Sequence, residues 1–222
     1  MALRGDARSG LAVYGKVGLG AAKQGMARLR TTMKTVKVVI EGTSPYLMHK
    51  FSDEAAAGRT TRATLVEQRV PREEAEKVAY RDQDGGLYFN GYSIAKAIAS
   101  AGGAHKQRGS RKSLKYVVPA AVRIVDDAVK LRKLDGRVQK DFEVDSRPVT
   151  IPATKGRVLR HRPRFDEWRA EFELKIFENL IEPKTVHQLL NEAGEQVGIG
   201  DFRPEKSGPF GCFRVVEWKE LV

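Results

Sequence analysis

Three places in this chain hold side chains that could do chemistry. The first is Tyr46, His49 and Lys50. An imidazole gives and takes protons near neutral pH, a neighbouring ammonium can hold a phosphate, and a phenol ring can stack on an unpaired base. The trio fits either contact with a base and a phosphate or acid–base work. A histidine in such a loop also serves plain packing. His105, His161 and His187 have no evident acid–base partner. The second place is the run from Gly198 to Phe213, with Gly198, Gly200, Gly208 and Gly211, the cations Arg203 and Lys206, and the rings of Phe202 and Phe210. Glycines there permit positive φ and close approach of another backbone. The run therefore either makes a tight structural crossing or bares N–H groups to an anion. The third is a pair of basic segments. Residues 105–115 carry Lys106, Arg108, Arg111, Lys112 and Lys115, and residues 155–164 carry Lys155, Arg157, Arg160, Arg162 and Arg164, with no acid in either.

The formal net charge of the 222-residue chain is +12. Residues 1–34 add further basic excess, with Arg4, Arg8, Lys16, Lys23, Arg28, Arg30 and Lys34 against Asp6. Together the three basic stretches exceed the net charge, so the remaining body is mildly acidic. Positive charge gathered in segments on such a body is the footprint of a polyanion binder; solubility alone is the plainer reading. Guanidinium and backbone N–H groups meet phosphates, while flat side chains stack on unpaired bases. Tyr46, Phe202 and Phe210 are candidate platforms, each also suited to core or loop packing.

Composition sets limits. An apolar fraction of 41% supports one real core. No apolar run approaches the ~18 residues of a membrane span, and the N-terminus has no clean apolar core of a secretory signal, so the expected location is the cytoplasm. Cys212 is the only cysteine, which rules out an intrachain disulfide and fits a reducing compartment. Four scattered histidines and one cysteine make no zinc pattern; neither metal nor cofactor is expected.

The elements that must position these groups follow from periodicity. Residues 1–34 lack it and read as a mobile basic arm, with Met33 resembling a natural start. Thr35–Glu41 alternates Val36, Val38 and Ile40 with polar residues and predicts a strand. A loop follows over 42–51. Pro71 opens a helix to Arg81, Leu87–Phe89 is a short strand, and Ile94, Ala97, Ile98 and Ala101 share a helix face. Val117–Val125 and Ala128–Leu131 are β-like. Residues 141–164 predict strands or a hairpin carrying arginines. Phe165–Phe177 alternates strongly and predicts a strand, and Pro183–Val197 predicts a helix. Phe213–Trp218 is apolar on both faces, which predicts a last strand covered on both sides.

This order fits an α+β fold with a ferredoxin-like (RRM-like) βαββαβ core. The division is an arm over 1–34 and one domain over 35–222, with a large basic β-rich insertion at about 103–164. A Gly-rich loop between the second helix and last strand of such a core resembles that of the RAMP superfamily, the RNA-binding proteins of CRISPR systems. Gly198-Ile199-Gly200 matches the first half of the family's loop. The second half departs, with a seven-residue spacer and Gly208-Pro209-Phe210-Gly211 at its close. The final segment is also similar to that of uncharacterised bacteriophage proteins. The resemblance implies that Gly198, Gly200, Gly208 and Gly211 lie against nucleic-acid backbone with Arg203 and Lys206 beside them. It also implies assembly of copies along the strand.

The sequence thus predicts a non-catalytic protein that binds single-stranded RNA or DNA, as a homo-oligomer or filament along the strand. A metal-independent RNA endonuclease using His49 is the first alternative. A structural component of a phage particle or ribonucleoprotein is the second.

Overall fold

Val36, Val38 and Ile40 lie two apart, so an extended chain puts them in one row. Strand β1 (Met33–Gly42) forms there, two residues longer at its start than the alternation requires. The computed structural model describes residues 33–50, 70–150 and 156–221, all within one unit, Thr31–Val222. Residues 1–32 of the expected arm, and Lys155, lie outside the described residues.

After β1 come β2 (Tyr46–Leu47), α1 (Pro71–Lys77), β3 (Tyr88–Asn90) and α2 (Tyr92–Ala101). They are followed by a 3₁₀ turn (Leu114–Tyr116), α3 (Val118–Ala121), β4 (Val122–Ile124), β5 (Ala128–Arg132), β6 (Glu143–Thr150), β7 (Arg157–Phe165) and β8 (Arg169–Phe177). The chain closes with α4 (Pro183–Glu192), a π turn (Ala193–Val197) and β9 (Phe213–Leu221). The fold is α+β with antiparallel sheets. The larger sheet has the order β3-β5-β8-β1-β9, and β4 pairs with another stretch of β8; β2, β7 and β6 form a second sheet. β1 is an interior strand, antiparallel to β8 on one side and to the edge strand β9 on the other.

The register explains the core. Val38 pairs with Phe172 and Val36 with Leu174, so their side chains share a face. Onto that face pack Ile94, Ala97 and Ile98 of α2 and Val186, Leu189 and Leu190 of α4, all buried. Each large side chain so buried is worth about 1.5–3 kcal/mol. Trp168 is the largest fully buried residue; its indole N–H donates to the Ser44 carbonyl at 2.9 Å, which meets the need of a buried polar tip.

The opposite face of the sheet carries a lattice of charges. Lys37 contacts Glu171 at 2.5 Å, and it pairs in register with Glu173 and Lys219. The aromatic that β8 places there, Phe177, lies under the Arg123 guanidinium at 5.2 Å. A face of this kind offers no row of open rings for stacked bases.

Three expectations about elements are corrected. The run 165–177 divides: β7 ends at Phe165 in the second sheet, exposed Asp166 and Glu167 make the turn, and β8 begins at Arg169 in the first. The β-like run at Val117 is helical up to Ala121, with Pro119 in the first turn of α3. β9 is not covered on both sides. It is an edge strand, and the register shifts opposite Val39 and Ile40. Val215 and Trp218, three apart, therefore both pair with core-facing β1 residues, while Val216 is left 41% exposed. A bulge of this sort inserts one residue and breaks the period of two.

Candidate nucleic-acid interface

The Gly-rich run makes the tight crossing. Leaving the π turn, the Gly198 N–H donates to Ala193 O at 2.8 Å, Ile199 N–H to Gly211 O at 2.9 Å and Asp201 N–H to Leu47 O at 2.9 Å. On the return, Gly208 N–H reaches Arg203 O at 3.0 Å, Gly211 N–H reaches Pro45 O at 2.8 Å, and Cys212 N–H reaches Ser44 Oγ at 2.9 Å. These N–H groups point into the protein and leave no cradle for an anion. A Cβ at Gly200 would strike the Tyr46 ring and the Leu47 carbonyl, so the residue is needed for packing against β2. Arg203 belongs to the loop as well: it donates to Gly200 O at 3.0 Å and pairs with Glu205 at 2.5 Å. Lys206 is exposed.

The three candidate platforms are occupied. Tyr46 is buried among Phe89, Phe165 and Trp168, with ring centroids 5.5–6.0 Å away. Burial pushes its hydroxyl pKa far above the usual value. Phe210 is buried, and the Arg147 guanidinium stands 4.6 Å over its ring and 5.8 Å from that of Phe202. Covered by a cation from a different hairpin, these rings pack within the protein; they are not surfaces for bases.

The arginine hairpin forms as expected. β6 and β7 pair from Glu143↔Arg164 to Thr150↔Arg157, and Pro148 is tolerated because β6 is an edge strand. Arg160, Arg162 and Arg164 share one face with Arg147, Asp145 and Glu143. Their environments differ. Arg162 is only 4% exposed, and its Nε lies 3.0 Å from Asp201 Oδ2, aligned too poorly for a hydrogen bond. Burial lowers its pKa, opposed by the Asp201 charge. Arg162 is a structural cation locking the hairpin to the Gly-rich loop, and not a contact for a ligand. Arg164 binds Asp166 at 2.6 Å. Arg157 and Arg160 are exposed.

Arg160 reaches His49: its Nη1 is 3.2 Å from His49 Nε2. A guanidinium only donates, so Nε2 accepts and Nδ1 carries the proton. That Nδ1 is buried with no hydrogen-bond partner. Burial lowers the His49 pKa first, Arg162 and Arg160 lower it further, and Asp201 opposes them. Lys50, half-buried, donates its N–H to Val78 O at 2.8 Å.

The other basic segment is a small loop after α2. Lys106 bridges to Ser113 and Gln107 N–H donates to Lys112 O at 2.8 Å. His105 Nε2 meets Glu192 of α4 at 2.5 Å. The loop presents Lys106, Arg108, Arg111, Lys112 and Lys115, all exposed, beside Tyr116, which is 67% exposed.

Two residues that the sequence pattern did not single out join the site. Tyr92 and Lys96 of α2 line a cleft of about 370 Å³, together with His49 and the loop residues Gly198, Gly200, Asp201 and Arg203. Tyr92 is 70% exposed. The structure thus brings His49 and the Gly-rich loop together at one cleft, with Arg160 in contact with His49. Among the described residues no group of three or more His, Cys, Asp or Glu is placed to hold a metal, and no helix is long and apolar enough to cross a membrane.

No family profile matches the chain, and no curated protein matches it in sequence. Among solved structures it is similar to a chain of type III-B Cmr-beta bound to cognate target RNA, at 11% identity and a TM-score of 0.47. That match covers 85% of this chain and 61% of the other, so the chain spans about three fifths of that protein's length. It is also similar to Cmr6 from Pyrococcus furiosus, at 9% identity and a TM-score of 0.44, over 82% of this chain and 98% of that one.

Proposed function

We propose that this chain binds single-stranded nucleic acid, RNA in the first place, without cutting it, and that copies assemble along the strand inside the cell. The observation that carries the reading is Arg160 at His49: an exposed guanidinium on a strand of arginines, in contact with a histidine that lines a cleft together with an exposed tyrosine and lysine. Phosphate contacts and an open ring are what a single strand requires. The strand order β9-β1-β8-β4, with α2 between β1 and β4 and α4 between β8 and β9, supports a ferredoxin-like core. The β6–β7 hairpin is then its basic insertion.

The geometry at His49 weighs against the endonuclease. A general base needs a free lone pair within reach of its proton, and here Nε2 accepts from Arg160 while Nδ1 is buried.

The test is titration of the protein with single-stranded RNA, single-stranded DNA and duplex at two salt concentrations, with products run on a denaturing gel. Arg157→Ala with Arg160→Ala should weaken binding to every sequence. It should also reduce the slope of log affinity on log salt by roughly 0.7 for each phosphate no longer neutralised. Unchanged affinity and slope would place the strand elsewhere. EDTA-resistant cleavage that disappears in His49→Ala would replace the reading with the nuclease. Complexes of fixed one-to-one stoichiometry on long strands would remove the assembly.

A further inference from the structure

The cleft has α2 on one side and the Gly198–Asp201 turn on the other. Its volume, about 370 Å³, lies within the range of small-ligand sites and holds one nucleotide rather than a run of them. Tyr46 and Phe89 line it from the core side, both buried. Two side chains on α2 differ from the rest of the lining. The Tyr92 ring is 70% exposed and stacks on no other ring among the described residues. Lys96 is exposed and pairs with no acid among the described residues. An exposed ring and an unpaired ammonium have no structural task to explain them, whereas Arg203 on the other wall is paired with Glu205, which also accepts from Ser100 of α2.

Tyr92 and Lys96 stand at i and i+4. Such residues share a helix face, with Cβ atoms roughly 6 Å apart. A flat face and a cation at that separation match the base and the phosphate of one nucleotide. Asp201 lines the same cleft, and its partly exposed carboxylate can accept from a base edge. A base still stacked in its strand presents its edges and keeps its faces covered; only one that leaves the stack can lie on a single ring.

We infer that this cleft receives one unstacked nucleotide of a bound single strand, its base on the Tyr92 ring and its phosphate at Lys96. The inference rests on the strand-binding reading above. The same chemistry would accept a free nucleotide, so the test compares the two sources.

The probe is an RNA of mixed sequence, about ten nucleotides long, against free adenosine 5′-monophosphate. Tyr92→Trp keeps a ring and adds a reporter, and the unmodified protein supplies the background from Trp168 and Trp218. The RNA should quench the introduced indole, and the free nucleotide should do so only at far higher concentration. Tyr92→Ala should weaken RNA binding about ten-fold, within the range for removal of one stacked base. Lys96→Ala should lower the salt slope by roughly 0.7. RNA binding that depends on Arg160, yet shows no quenching and no weakening in Tyr92→Ala, would overturn this inference and leave the strand-binding reading standing. Absence of RNA binding in the unmodified protein would overturn both. Quenching by the free nucleotide at concentrations equal to or below those of the RNA would make the cleft a free-nucleotide site instead. Both α2 positions are exposed, so circular dichroism should match the parent in each variant.

Discussion

Alanine at Gly211 should be far more damaging than alanine at Gly85, although the two backbones are alike, with φ of +73° and +75°. The left-handed conformation costs a residue with a Cβ about 1–2 kcal/mol in either place. At Gly85 that is the whole penalty, because the added Cβ meets nothing within 4 Å. At Gly211 it would fall 1.8 Å from the Ile199 carbonyl oxygen, where real Cβ atoms keep at least 3.0 Å. The crossing must open by about 1 Å, and an opening of that size breaks two hydrogen bonds. They are Ile199 N–H to Gly211 O at 2.9 Å and Gly211 N–H to Pro45 O at 2.8 Å. Ile199 and Gly211 are buried, so water does not replace the missing partners and each break costs about 1–3 kcal/mol. Gly211→Ala should therefore lose roughly 3–8 kcal/mol, a large part of the ~5–15 kcal/mol that holds a domain folded. Urea unfolding followed by tryptophan emission measures both variants on one scale. With a slope of ~3 kcal/mol per molar, the upper end for a chain of this size, Gly85→Ala should shift the midpoint by under about 0.7 M, and Gly211→Ala by about 1 M or more, or to complete unfolding. Losses within about 1 kcal/mol of each other would refute the reasoning, since the crossing would then be free to open.

Asp201→Asn should cost roughly 3 kcal/mol, because it leaves the Arg162 charge buried without its partner; the low end of the range applies, since the Asp201 side chain is 35% exposed. Denaturant titration checks it, and a loss below about 1 kcal/mol would show that Arg162 does not depend on the pair. His49 should titrate below the ordinary histidine pKa of about 6.5 in an NMR titration, chiefly because it is buried. Arg160→Ala, which removes one lowering charge, should move it up; a value at or above the ordinary one in the parent protein would contradict the buried Nδ1. The sign for stability follows: His49 is neutral in the folded state and takes a proton more readily when unfolded. Its contribution is present above about pH 6.5 and lost as pH falls toward the lowered pKa. His49→Gln should flatten the stability profile in that window, and an unchanged profile would assign the acid sensitivity elsewhere.

The central strands and the two core helices were legible because their signals are local. Val36, Val38 and Ile40 alternate within one strand, and Val186, Leu189 and Leu190 repeat within one helix. The arginine hairpin was legible from its cations and from Pro148. What the sequence hid depends on partners far along the chain. Nothing near Tyr46 says that Trp168 and Phe89 will surround it, and nothing near Phe202 or Phe210 announces Arg147. Arg162 reads like its neighbours Arg160 and Arg164 until Asp201 closes over it. The bulge in β9 made apolar residues on one face read as residues on two. The signal for Tyr92 and Lys96 is present, a ring and a cation one helical turn apart on the side of α2 opposite to Ile94, Ala97 and Ile98; only the cleft gives it meaning.

The interior place of β1 has a consequence for biosynthesis. Its two partners are β8 and β9, and roughly 130 residues separate Gly42 from Arg169. At ~5–20 residues per second, the strand leaves the ribosome about 6–25 s before its first neighbour exists. Throughout that interval Val36, Val38, Val39 and Ile40 travel with both backbone edges unpaired, which is the description of an aggregation-prone segment, relieved within β1 only by Lys34, Lys37 and Glu41. Recombinant yield of soluble protein should accordingly be set by how well the nascent chain is shielded, rising with slower synthesis at low temperature or with extra chaperone, long before the stability of the finished fold comes into play.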